Sequence, residues 1–140
     1  MSNATPAITA QAITTDQAPA AVGRYSQAVR AGEFVFVSGQ LGINPASGQI
    51  EATGVVEQAR QAISNMEAIL KAAGLGLENV VKATVLLADI ADFTVVNEEY
   101  AARFTGPVLP ARAAYQVAAL PRGALIEIEA IAWGAPSQEQ

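Results

Sequence analysis

A chain of 140 residues that is 51% hydrophobic and only 15% charged has enough length and apolar content to fill one core, which excludes a disordered segment. Its net charge of −5, with no local cluster of Lys or Arg, lacks the electrostatic footprint of a nucleic-acid binder. Cysteine and histidine are both absent, so disulfides, thiol nucleophiles, imidazole bases and Cys- or His-based metal sites are excluded.

The start of the chain, MSNATPAITAQA, has neither the basic residues nor the apolar run of a signal peptide, and no apolar stretch reaches membrane-spanning length. A soluble, cytoplasmic protein is expected, with no membrane partner. Residues 1–11 read as a flexible tail, with a short edge strand from Gln11 to Thr15 and a loop to Ala21. Ala28 to Arg30 and Glu33 to Leu41 read as two strands around Ala31-Gly32. Strict alternation places Phe34, Phe36, Ser38 and Gln40 on one face of the second strand, and Val35, Val37, Gly39 and Leu41 on the other. Asn44 to Gln49 follows as a turn.

From Val55 to Ala73, apolar residues at spacings of three and four (Val55, Ala59, Ile63, Met66, Leu70) predict a helix capped by Thr53 and stopped by Gly74. Val80 to Ala88 is nearly continuously apolar, the pattern of a central strand. A second helix is expected from a cap at Asp92 to Phe104, with Phe93, Val96, Tyr100 and Phe104 on one face and Asn97 intruding on that stripe.

The last segment, Pro110 to Ala132, reads as two strands joined by a tight turn at Leu120-Pro121-Arg122-Gly123. In that hairpin Arg112, Ala114, Gln116, Glu127 and Glu129 share one face, while Ala113, Tyr115, Val117, Ile126 and Ile128 share the other. Residues 135–140 read as a second tail, leaving 12–134 as one domain. The order predicts an α+β fold: a mostly antiparallel six-stranded sheet with two helices on one face. The other face carries more apolar area than a monomer exposes, so a homo-oligomer is expected.

Arg112 is the sharpest candidate, since a guanidinium can hold a carboxylate by two prongs. The alternative is a sheet ion pair with Glu127 or Glu129. Glu127 is a candidate general base or a solvated outward position, and Glu129 has the weaker claim. Tyr25 can present a phenol to a pocket or simply pack. Asn97 is a cap partner or a ligand contact. Ser38 and Gly39 can offer a hydroxyl and a backbone N–H, or mark a bulge.

Together GRYSQAV, FVFVSGQLGINP, EQARQAISNMEAILKAAG, VVKATVLLADIADFTVVNEEY and PARAAYQVAALPRGALIEIEAIA resemble the reactive intermediate deaminase family, also called RidA or YjgF. The resemblance spans roughly residues 12–134. It implies a chorismate-mutase-like fold, a homotrimer with clefts between subunits, and cofactor-free, metal-free hydrolysis of 2-imino acids to 2-keto acids and ammonia. It also implies that Arg112 holds the substrate carboxylate and Glu127 activates water, with Tyr25, Ser38, Gly39 and Asn97 lining the cleft. Two positions depart from the family pattern: Arg24 stands where Pro is usual, and Ala114 where many members have Cys. A non-catalytic binder of small carboxylates, or a chaperone-like member, is the competing expectation.

Overall fold

Apolar alternation and two helical stripes build a sheet with helices on one side, seen here in a computed structural model that describes residues 9–136. Residues 1–8 and 137–140, most of the two expected tails, lie outside it. The strands are β1 (Ala10–Ile13), β2 (Ala28–Ala31), β3 (Phe34–Leu41), β4 (Val80–Leu87), β5 (Ala111–Gln116) and β6 (Ile126–Trp133). The helices are α1 (Val55–Ala72) and α2 (Phe93–Arg103).

The sheet order is β1-β2-β3-β6-β4-β5. Four pairings are antiparallel and one, β4 with β5, is parallel, so the sheet is mixed. The parallel pair follows from α2, which carries the chain back over the sheet between β4 and β5. Both β3 and β4 run antiparallel to β6, which lies between them.

This corrects the hairpin expected for the last segment. β5 and β6 never pair; β4 separates them. The ends of their connection are tied to β4 instead, Val117 N–H to Leu87 O and Ala88 N–H to Leu125 O. The tight turn does form, one residue later than expected, with Ala124 N–H donating to Pro121 O. Arg122 (φ 60°) and Gly123 (φ 66°) are both left-handed there, the type I′ pattern. A local turn signal is therefore real, while the strand pairing inferred from it is not.

The faces change accordingly. Ala83, Val85 and Leu87 of β4 stand opposite Ala130, Ile128 and Ile126 of β6 and beside Arg112, Ala114 and Gln116 of β5. Arg112 thus lies on the helix-covered side, and Glu127 and Glu129 lie on the open side with Ala113 and Tyr115. β3 also departs from strict alternation. Ser38 and Gly39 together oppose Glu129, a β-bulge between the Val37–Ala130 and Gln40–Ile128 pairs. Past the bulge Gln40 joins the helix side and Leu41 the open side, the reverse of the expected faces.

The core lies between sheet and helices, where Val35, Ile63, Met66, Ile69, Leu70, Val85, Ile126 and Ile128 are buried. Caps differ from expectation at both helices. Gly54 and not Thr53 precedes α1, and Asp92 makes no side-chain cap; Asp89 accepts from Ala91 N–H one turn earlier. Gly74 ends α1 with φ 79°, as expected. The open face exposes Phe34 (44%), Phe36 (46%), Tyr115 (49%) and Trp133 (51%), large areas for a surface meant for water. No helix among the described residues is long and apolar enough to cross a membrane.

Candidate active site

The bulge in β3 shapes one wall of a candidate cleft. Its bare position, Gly39, lets the Glu127 side chain lie against the β3 backbone: a Cβ there would stand 2.5 Å from Oε2 and 2.8 Å from Cδ of Glu127. Glu127 forms no ion pair or hydrogen bond among the described residues. Burial pushes its carboxyl above the usual carboxylate range, and Glu129, two residues along the same face, adds to the rise. Together with Tyr25, Ser38, Gly39 and Glu129, it lines a cleft of about 690 Å³ on the open side.

Three buried amides hold the walls of that cleft. Gln27 donates to Thr15 O (2.9 Å) and Pro19 O (2.8 Å) and accepts from Thr15 N–H (2.7 Å), fixing the loop that leads to Tyr25. Asn65 of α1 donates to Leu41 O (3.1 Å) and Ile43 O (2.9 Å), holding the far end of β3. Gln58 bridges Ala52 O (3.0 Å) and Leu125 N–H (2.9 Å), tying α1 to the approach of β6. None of the three was singled out from the sequence. Gln58 and Asn65 lie on the buried side of α1, so a polar residue on an apolar stripe, the signal that marked Asn97, was available for them.

Ser38 Oγ donates to Ser26 O at 2.6 Å, so its proton stitches β3 to the Tyr25 loop, leaving the oxygen as an acceptor. Tyr25 is half exposed at the cleft wall, while Arg24 is exposed and does not line it.

Arg112 belongs to a second cluster, away from this cleft. Arg112 Nη1 donates to Asn97 Oδ1 on α2, and its guanidinium carbon lies 5.3 Å from the Phe93 ring centroid and 4.8 Å from that of Tyr100. Asn97 is therefore not a cap partner; its amide oxygen holds the arginine. The ion pairs among the described residues are Arg60–Glu99 and Arg103–Glu67, so the pairing of Arg112 with Glu127 or Glu129 that competed with a ligand site is not formed. The chain brings Tyr25, Ser38, Gly39 and Glu127 together, and Arg112 with Asn97, but it leaves these two groups on opposite sides of the sheet. No group of His, Cys, Asp and Glu able to hold a metal occurs among the described residues.

The model of the family described as endoribonuclease L-PSP matches residues 15–133. The chain belongs to this family, the RidA/YjgF proteins. The 2-iminobutanoate/2-iminopropanoate deaminase of Mus musculus is 60% identical over 124 residues, covering 89% of this chain and 91% of that one. The crystal structure of RidA from the Antarctic bacterium Psychrobacter superposes with a TM-score of 0.85 at 51% identity, covering 89% and 99% of the two chains. E. coli TdcF, solved with bound serine, superposes with a TM-score of 0.83 at 41% identity over 89% and 99%. The mixed sheet and its two helices thus match the architecture of these two solved structures.

Proposed function

We propose that this protein hydrolyses 2-imino acids, including those arising from 2-aminoacrylate and 2-iminobutanoate, to 2-keto acids and ammonia. The observation that carries the reading is that Arg112 and Glu127 do not neutralise one another. Arg112 is held by a neutral amide and two rings, and Glu127 is half-buried with no ion pair among the described residues. Each is left free for a ligand. The likeness to proteins named as deaminases supplies the reaction class.

Because the two half-sites lie on opposite sides of one sheet, the active site in this proposal forms between copies. The apolar open faces pack inward in a trimer of the chorismate-mutase-like kind, and Arg112 of one subunit meets the Glu127 cleft of its neighbour. Arg112 fixes the substrate carboxylate, which turns encounter into near-attack geometry. Glu127 takes a proton from water as the water oxygen bonds to C2 of the protonated imine. The resulting carbinolamine receives that proton on nitrogen; the C–N bond then breaks, ammonia leaves and the hydroxyl proton is lost to give the keto acid. Ser38 and Tyr25 border the reacting centre, and neither metal nor cofactor is required. The setting is the cytoplasm, beside enzymes that release such imines.

The family description names an endoribonuclease, yet an RNA track needs clustered Lys and Arg, and this chain has net charge −5. A binder of small carboxylates without turnover is the remaining alternative. The test is keto acid release from 2-aminoacrylate or 2-iminobutanoate generated in situ by a dehydratase. The wild type is expected to exceed the spontaneous rate, and Arg112→Ala to lose roughly a hundredfold in kcat/KM. Carboxylate affinity without acceleration would favour the binder.

A further inference from the structure

Arg112 is exposed, and an exposed arginine ordinarily samples many rotamers. Here it does not stand free. Phe93, Asn97 and Tyr100 occur at spacings of four and three on α2, so they line one face of that helix, and all three touch the guanidinium. Tyr100 is itself backed by Phe104, the two rings stacked at 4.2 Å with 20° between their planes. The stack thus runs Phe104, Tyr100, Arg112, with Phe93 completing the sleeve.

Two features separate the rings from the hydroxyl. The Tyr100 hydroxyl is buried, the residue being 7% exposed, and has no hydrogen-bond partner among the described residues. It is the face of the Tyr100 ring, not the hydroxyl, that meets the Arg112 guanidinium. Meanwhile the guanidinium carbon lies over both rings and Asn97 takes one edge donor. Its Nε and Nη2 donors have no partner among the described residues, and they form the fork that fits a carboxylate.

We propose that Phe93 and Tyr100 are positioning residues for the deamination, holding Arg112 through their ring faces so that its free edge is preset for the substrate carboxylate. The proposal rests on Arg112 being the carboxylate anchor. Presetting lowers the ordering cost of binding, so it acts on affinity more than on the chemical step.

The experiment compares Phe93→Leu, Tyr100→Leu, Tyr100→Phe and Arg112→Ala, reading KM and kcat for in situ 2-iminobutanoate and the inhibition constant of 2-oxobutanoate. Loss of either ring is expected to raise KM and the inhibition constant by roughly three- to tenfold, with kcat within about twofold of wild type. Tyr100→Phe keeps the ring and is expected to match wild type in both. If Tyr100→Phe is as impaired as Tyr100→Leu, or if kcat falls while KM holds, the sleeve is overturned. Unchanged constants in Phe93→Leu overturn it too, and this half-buried site remains testable should Tyr100→Leu fail to fold. If Arg112→Ala leaves the inhibition constant unchanged, the anchor itself fails; if it weakens binding while both Leu variants do not, only the sleeve fails.

Discussion

Glu127 carries two consequences of one environment. Its carboxyl, ordinarily at 4.5, is raised by burial first and by Glu129 second, so the folded chain binds that proton more tightly than the unfolded chain does. Stability from this group is therefore full below the unfolded value and is lost as pH rises through the raised folded value. Glu127→Gln should be more stable than wild type at neutral pH, with the advantage vanishing near pH 4; urea midpoints at the two pH values check it. The same variant should lose roughly a hundredfold or more in kcat, and the acid limb of wild-type kcat/KM should lie above the usual carboxylate range. Gly39 makes a sharper test of placement. The atoms nearest a methyl there all belong to the Glu127 side chain, a flexible group, so Gly39→Ala should fold normally while displacing the carboxylate. A kcat loss of roughly tenfold or more with an unchanged melting temperature is expected.

At the scale of elements, the cleft stands where it does because α1 grips the ends of β3 and the approach to β6. Gln58 is the clearest grip, since it is 4% exposed and satisfies both Ala52 O and Leu125 N–H. Gln58→Ala leaves both backbone groups unpaired, and a loss of about 1–3 kcal/mol is expected, read as a lower urea midpoint with an unchanged m-value. Gly42 has a comparable structural reason: a Cβ there would meet Gln58 O at 2.7 Å and Gln58 Cα at 2.8 Å, backbone atoms that cannot swing away. α2 performs the parallel task for Arg112, its one face presenting Phe93, Asn97 and Tyr100 to the guanidinium.

For the whole molecule, the opposition of Arg112 and Glu127 across the sheet makes a distinctive prediction. Arg112→Ala and Glu127→Gln chains are each expected to be nearly inactive. Unfolded together and refolded at equal amounts, they should recover about a quarter of wild-type activity if a site takes Arg112 and Glu127 from different copies in a cyclic assembly. A site built within one chain recovers nothing. Light scattering during the same refolding reports whether the assembly is a trimer.

Apolar patterning together with turn residues located both helices and six strands, because those signals reflect local geometry and burial. It also marked Arg112, Asn97, Gly39 and Glu127, since polar or bare positions in apolar stretches stand out without any knowledge of contacts. The fold class followed from the order of the elements, and the specific motifs carried the family resemblance. What the linear pattern did not hold was partnership. A turn signal at Pro121 to Gly123 is compatible with strands that pair or with strands that straddle a third, and only β4 packing between them decided it. That one insertion reversed the face of Arg112 relative to Glu127, and the Ser38-Gly39 bulge reversed Gln40 and Leu41. Side-chain direction in a sheet depends on register, and register is set by long-range hydrogen bonds that no local window contains.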